Sequence, residues 1–434
     1  MNVIAVFDVG KTNKKLFLFD ERYRIVSEQS ESFASVKDED GDDCEDLAGL
    51  TEWVRGSLAQ VMVRRDDYNI RAINFSAYGA SLVHIGADGK PVAPLYNYLK
   101  AYPEGLKRRF YETYGGEVLL SMLTASPVLG SLNSGMQLYR IRYEQPELFA
   151  RIRYSLHLPQ YLSYLVTGRA VSEITSIGCH TNLWNFPQHK YHEWVFREGV
   201  AEKLAPIVPS GVVTDIGGIS VGVGLHDSSA ALIPYLQSFR EPWTLISTGT
   251  WCITMNPFND SPLTAAELEQ DCLCYMSFEG LPMKASRLFA GYEHERQVRR
   301  LGEHFHRSPA AAAEVKFDRD CVEMLRAGGK IQDLTDCKSF EQAYHWLLMD
   351  IMEQQVRSTN LVLNDTDVRQ IFVDGGFGKN EVYMHLLAEA FPDVEVSAAS
   401  IPQATAMGAA LAIHEEWNGE GVPGELVGLK YYGV

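Results

Sequence analysis

Long apolar runs are missing from this 434-residue chain, and no stretch approaches the roughly 18 consecutive apolar residues that a membrane helix needs. No basic segment followed by an apolar one opens it, so no signal peptide is expected and the cytoplasm is the expected location. Positive charge is scarce too. Against 56 acidic residues stand 39 Lys and Arg, a formal charge of −17 that argues against general affinity for nucleic acid. Cysteine is sparse: seven residues, at 44, 179, 252, 272, 274, 321 and 337, form an odd, scattered set that suits reduced, packed thiols better than a disulfide framework. Cys272 and Cys274 lack a second pair at zinc spacing. Neither His189 with His192 nor His304 with His306 sits in a His-Glu-x-x-His pattern. Asp38, Asp40 and Asp42 alternate as calcium ligands do, but the sixth loop position is Asp43 rather than glycine and the twelfth is Gly49 rather than glutamate. A solvated loop leading into a helix is the expectation there.

What remains is an ordinary globular composition, 46% hydrophobic and 22% charged, on a chain long enough for two domains. Apolar β-branched runs predict strands at Val3–Phe7, Lys15–Phe19 and Ile25–Glu28, an antiparallel meander. Helical spacing follows over Leu47–Val63, then strands at Ala72–Ser76 and Leu82–Ile85 and a hairpin turn at Ala87-Asp88-Gly89-Lys90. The middle reads as helical over Pro103–Tyr114, Gly135–Tyr143 and Pro146–Val166. Pro234, Gln237 and Arg240-Glu241-Pro242 mark a boundary. Beyond it, strands at Trp243–Ser247 and Cys252–Met255 echo the opening hairpin. Helices are expected at Ala310–Ala327, Phe340–Val362, Glu381–Ala390 and Thr405–His414, with a strand at Ile371–Val373. Strands then helices, twice over, predict two α/β domains, residues 1–238 and 239–434, with a ligand cleft between them.

Three glycine-marked turns carry the chemistry. The first is Asp8-Val9-Gly10-Lys11-Thr12-Asn13-Lys14-Lys15, the second Ser247-Thr248-Gly249-Thr250, and the third Asp374-Gly375-Gly376-Phe377-Gly378-Lys379-Asn380. Such turns aim amides and hydroxyls at phosphate oxygens. Between the first two lies His226-Asp227, where a carboxylate has the chemistry to deprotonate an alcohol. Aspartate is also a favoured N-cap, so the pair equally fits a helix starting near Ser228. The combination implies ATP-dependent phosphorylation of a small hydroxylated molecule.

In the order and spacing of these segments the chain resembles the FGGY carbohydrate kinases of the actin-like ATPase superfamily, nearest to the rhamnulokinases and fuculokinases. The likeness extends to Leu158-Pro159-Gln160-Tyr161-Leu162, with Gln160 where aspartate is common, to Ser172-Glu173-Ile174-Thr175-Ser176, to Gly224–Ala230, and to Gln403–Ala410. It implies two actin-like (ribonuclease H-like) domains, ATP and Mg2+ as cofactors, a small-molecule sugar as substrate, and a homodimer. In the first turn it implies phosphate contacts from Gly10, Lys11, Thr12, Asn13 and Lys15, with Lys15 in the place of a common arginine and Lys11 in that of a small residue. Asp8 would position magnesium, together with Asp227. Thr248, Gly249 and Thr250 would meet the phosphates from the other side, and Gly375 and Gly376 would let the backbone pass close to adenosine. For Lys379 and Asn380, nucleotide contacts and a plain helix start both remain open.

By the same resemblance Asp227 is the general base, with His226, Ser228, Tyr78, Gly79 and Ala80 around the sugar. Ser81 stands where rhamnulokinases and fuculokinases carry aspartate, which leaves the sugar, a deoxyketohexose or ketopentose, undetermined. Glu279-Gly280 and Arg287 partly match the C-terminal sugar and nucleotide segment, while its later asparagine is not recognisable near Gly291. Gln137 is expected to face the sugar from the helix after Leu132 or, as the simpler reading, to be a plain surface glutamine, and Tyr78 is expected as core packing or a stacking platform alike. Two other classes share the turns: an actin-like or chaperone-type ATPase, and a catalytically degenerate, sugar-responsive regulator.

Overall fold

The computed structural model describes residues 1–63, 67–328 and 333–433. Two seven-stranded sheets organise the chain. The first contains β1 (Asn2–Val9), β2 (Lys14–Asp20), β3 (Ile25–Glu31), β4 (Asn69–Ala77), β5 (Val213–Asp215), β6 (Ser220–Gly222) and β7 (Leu225–His226). Its order is β5-β6-β4-β1-β2-β3, with β7 also paired to β4. The second contains β8 (Trp243–Thr248), β9 (Cys252–Asn256), β10 (Cys272–Met276), β11 (Pro282–Leu288), β12 (Gln370–Gly375), β13 (Glu395–Ser400) and β14 (Gly428–Tyr432), in the order β10-β11-β9-β8-β12-β13-β14. In each sheet a leading strand pairs antiparallel with its successor and parallel with a later one: β1 with β2 and β4, β8 with β9 and β12. The echo read in the sequence is thus a repeated topology.

The continuous apolar run of β1 follows from burial on both faces, since successive side chains alternate between them. Val3, Ala5, Phe7 and Val9 join one cluster with helices α1 (Leu47–Val63) and α2 (Leu158–Thr167). Ile4 and Val6 face the other way, toward α3 (Asp227–Ser238) and α7 (Ala404–Leu411). The second sheet packs against α4 (Ala290–His304), α5 (Phe340–Leu363) and α6 (Glu381–Ala390) on one side. On its other side Trp243 and Phe372 meet Leu232 and Tyr235 of α3. The helix that begins at Asp227 therefore lies between the two sheets.

Three sequence expectations are corrected, and the hairpin turn at 87–90 is borne out in short form. The 146–166 helix is broken: Pro146–Arg151 is helical, Tyr154–His157 is a strand paired with Leu82–Ile85, and helix resumes at Leu158. The turn at 87–90 closes, with Gly86 N donating to Lys90 O at 2.8 Å, but its return arm only bridges Ile85 through Pro91. Pro234 lies inside α3 rather than at a boundary. Residues 309–314 form a 3-10 turn, and a separate helix starts at Arg319, where Asp318 accepts the Cys321 N–H at 3.1 Å.

The acidic loop is also more than solvated. Asp38, Asp40 and Asp42 converge on the Lys100 ammonium at 2.5, 2.7 and 3.1 Å, and Arg140 reaches Asp40 at 2.7 Å. A lysine thus fills the position a metal would take.

Candidate active site

The first turn places its residues on two sides. Gly10 N donates to Asn13 O at 3.0 Å, leaving Thr12 and Asn13 exposed at the tip. Lys15 pairs with Glu28 at 2.9 Å, and its charge acts on Asp8. Lys14 is buried and pairs with buried Glu45 at 2.5 Å. Lys11 also approaches Glu45, at 3.6 Å, with its ammonium over the rings of Tyr78 and Tyr98.

Asp8 and Asp227 share one electrostatic environment. The Asp8 carboxylate accepts from Thr405 Oγ1 at 2.8 Å, and burial, reinforced by the charge of Asp227, pushes its pKa up to about 6. Burial likewise pushes Asp227 up to about 6, despite hydrogen bonds to its Oδ1 from Ser228 N at 2.6 Å and Ser228 Oγ at 3.3 Å. Asp227 is the first residue of α3, and no side chain caps that helix. His226 thus stands at the N-cap position without a capping side-chain bond, and Asp227 takes up the Ser228 amide of the first turn.

His226 is buried, and its Nε2 lies 3.2 Å from both Asp227 Oδ1 and Cys179 Sγ. Burial lowers its pKa to about 4, so the ring is neutral. Its Nδ1 has no partner among the described residues. Gly79 makes room for this ring, because a Cβ there would lie 2.9 Å from His226 Cδ2 and Nε2. Beside it Ala80 takes a left-handed φ of 62°. Its carbonyl accepts from Gln137 Nε2 at 2.7 Å, which makes Gln137 a buried strut rather than a surface residue. Tyr78 is core packing: buried, edge-on to Tyr98, and donating to Glu45 at 3.2 Å.

Sequence reasoning gave no role to the groups that hold His226-Asp227 in place. Buried Glu173 accepts from Thr175 Oγ1 at 2.6 Å, and that hydroxyl accepts the His226 N–H at 3.0 Å. Gln160 donates to Gly224 O at 2.8 Å, fixing the chain just before β7. The pattern Glu173-x-Thr175 was the available signal. Its meaning depends on a partner 51 residues away. Tyr98, which feels the charges of Asp227 and Glu45, was likewise unread.

The second and third turns interlock. Thr248 Oγ1 donates to Asp374 O and accepts from Phe377 N at 3.0 Å, while Gly376 N donates to Thr248 O at 3.1 Å. Gly375, at a φ of 80°, is packed so tightly that a Cβ would lie 1.9 Å from Thr248 O. Beside Gly376 there is open space, and Gly249 and Thr250 are exposed. Gly291 in α4 presses on the same turn, where a Cβ would lie 1.8 Å from Gly249 O.

These turns form one wall of a cavity of about 640 Å³ whose lining includes Gly376, His294, Ala312, Tyr344, Lys379 and Asn380. Its size suits a nucleoside-sized ligand. The His294 ring stands edge-on to Phe377 at 5.1 Å, and its Nε2 meets Tyr344 Oη at 3.0 Å. Asn380 caps α6 by accepting from Tyr383 N at 3.1 Å and donates to Tyr344 Oη at 2.6 Å. His294 and Tyr344 carried no local pattern that marked them.

Among the described residues, no helix is long and apolar enough to cross a membrane. The N-terminal domain of the FGGY family of carbohydrate kinases matches residues 3–224, half of the chain, and the FGGY C-terminal domain matches residues 240–325. A rhamnulokinase of Mannheimia succiniciproducens is 24% identical over 58% of this chain and 52% of its own length, and one of Bacteroides thetaiotaomicron is 25% identical over 46% and 43%. The chain thus spans about half the length of the curated relatives it matches. Among solved structures, a carbohydrate kinase from Novosphingobium aromaticivorans is 25% identical with a TM-score of 0.82, covering 99% of this chain and 96% of that one. A xylulose kinase from Rhodospirillum rubrum shares the fold at 15% identity, with a TM-score of 0.80 and coverages of 99% and 94%. The chain belongs to the FGGY family of carbohydrate kinases.

Proposed function

We propose that this protein transfers the γ-phosphate of ATP to a hydroxyl of a ketose or related polyol, with Asp227 as general base. The observation that carries the reading is the pair of carboxylates Asp227 and Asp8, each raised to about 6 by burial, with the charge of Asp227 acting on Asp8 at the start of the exposed first turn. A carboxylate of that pKa is mostly ionised at neutral pH yet basic enough to take a proton. In the step, the acceptor O–H gives its proton to Asp227 as its oxygen bonds to the γ-phosphorus. The bond from that phosphorus to the β,γ-bridging oxygen breaks, and its electrons leave with ADP. Neutral His226 keeps Asp227 oriented, its Nε2 lying 3.2 Å from Asp227 Oδ1.

The nucleotide base fits the cavity between His294, Tyr344 and Gly376, and the phosphates fit between the exposed tips Thr12-Asn13 and Gly249-Thr250. Among the described residues, Lys15 is the cation whose charge acts on Asp8. Their hard oxygens fit Mg2+, which would neutralise phosphate charge when bound. The sheet strands up to His226 and those from Trp243 suggest a sugar-binding part ending near residue 238 and a nucleotide-binding part after it.

Asp227→Asn tests the reading: turnover on the best acceptor falls by about a hundred- to ten-thousand-fold while ATP binding is retained. Phosphorylation at near the original rate overturns it. So does ATPase activity independent of sugar together with concentration-dependent filaments, or sugar binding that yields no product.

A further inference from the structure

Lys11 sits in the first turn, but its side chain leaves the phosphate side. The cation whose charge acts on Asp8 is Lys15. Lys11 instead reaches back toward Glu45, 3.6 Å away, with its ammonium 5.4 Å from the Tyr78 ring centre and 5.1 Å from that of Tyr98. Glu45 is already neutralised: Lys14 pairs with it at 2.5 Å, both side chains being almost fully buried, and Tyr78 donates to it at 3.2 Å. Two ammonium groups thus share one carboxylate, and the cluster keeps one positive charge.

That surplus is accessible, because the Lys11 side chain remains 34% exposed whereas that of Lys14 is 1% exposed. It also borders the acceptor side. Tyr98 feels the charge of Asp227 as well as that of Glu45, and Tyr78 is followed by Gly79, which lies against His226. A neutral sugar covering this ammonium would strip its water and return only neutral hydrogen bonds, whereas an anionic group would compensate it with a charge-assisted one. Aromatic faces on two sides hold the ammonium without cancelling its charge.

We infer that Lys11 is a specificity-determining residue that recognises a carboxylate on the acceptor, so that the substrate is a polyhydroxy acid rather than a neutral sugar. The inference rests on the kinase reading above and names the acceptor class within it. ADP release is measured with hexonates and ketohexonates against ketoses and alditols of the same chain length, for the original protein, Lys11→Met and Lys11→Arg. The acids are expected to be preferred, and Lys11→Met is expected to lower the acid-to-neutral ratio of kcat/KM by about tenfold or more, with Lys11→Arg retaining most of it. Calorimetric titration of a hexonate into the original protein and Lys11→Met reads the same preference without turnover, and melting curves establish that the variants are folded.

A preference for neutral acceptors, or a ratio unmoved by Lys11→Met, overturns the inference. So does a rise in the KM for ATP that is equal with both acceptor classes, which would make Lys11 a phosphate ligand. Failure of the kinase reading looks different: no acceptor of either class yields ADP, or Asp227→Asn is as active as the original.

Discussion

Asp227 and Asp8 are the residues on which pH acts. An unperturbed aspartate titrates near 3.9, and both of these are raised to about 6 by burial. Because the two groups interact, the limb they produce belongs to the pair. Below about pH 6 the base is protonated, so kcat/KM measured at low ATP falls on the acid side with a midpoint near 6; a profile flat from pH 5 to 8 would be incompatible with this. Stability runs the other way. A carboxyl whose folded pKa exceeds its unfolded value stabilises most below pH 4 and loses that contribution as pH rises through 6. Asp227→Asn should therefore melt about 1–2 °C above the original at pH 7, a gain of about 1 kcal/mol after solvent screening, and the gain should shrink at pH 5. Calorimetry at the two pH values checks it. At this scale the His226-Asp227 pair was legible because an adjacent base and carboxylate form a local signal. Glu173, Thr175 and Gln160 were not, since each acts through a hydrogen bond that the fold creates between distant segments.

Turns depend on the elements that press on them, and glycine at 291 has that role. A Cβ there would lie 1.8 Å from the Gly249 carbonyl and 3.1 Å from that of Thr250. Since alanine suits the helix itself, Gly291→Ala isolates the clash. It should displace the 249–250 turn, weaken nucleotide binding about tenfold and destabilise by about 1–3 kcal/mol. The control is Gly376→Ala, where the neighbouring space is open; its stability should change by no more than about 0.5 kcal/mol. Melting curves separate the two variants, and calorimetric titration of Gly291→Ala with an ATP analogue reads the loss of binding. Elements whose reasons are local were read closely from the sequence. Helix Glu381–Ala390 has an asparagine cap and an apolar face, and it stands as expected. Strand Tyr154–His157 was absorbed into a helix because its partner, Leu82–Ile85, is some seventy residues upstream, and apolar spacing alone does not tell a short buried strand from a helical turn. Pro234 misled for a related reason. Proline usually breaks a helix, but here the unpaired carbonyl it creates is covered by another helix.

At the scale of the whole molecule that covering contact joins the two halves. Pro234 has no N–H to give, so the Ala230 carbonyl in α3 lacks its helical donor, and Gly408 of α7 lies against that oxygen. Helix α7 follows the last parallel strand of the second sheet yet packs under the first, where Ala406, Met407 and Ala410 join Ile4, Val6 and Ile233. Its first turn sends Thr405 to Asp8, and its Ala409 carbonyl accepts from Asn74 at 2.7 Å. One helix therefore touches the Asp8 carboxylate directly and sets the position of the helix that begins at Asp227. Spacing between α3 and α7 fixes the distance between the two carboxylates, and only glycine at 408 allows that spacing. A Cβ would lie 1.8 Å from the Ala230 oxygen, a backbone atom that has no freedom to swing aside. Gly408→Ala should push the helices apart, separating Asp227 from Asp8 while leaving the cavity around His294 and Tyr344 intact. Turnover is expected to fall by about a hundredfold, the scale on which a misplacement of roughly 1 Å acts, while the dissociation constant of an ATP analogue stays within about threefold. Equal losses in both measurements would mean that the contact supports the fold as a whole rather than the alignment of the two carboxylates.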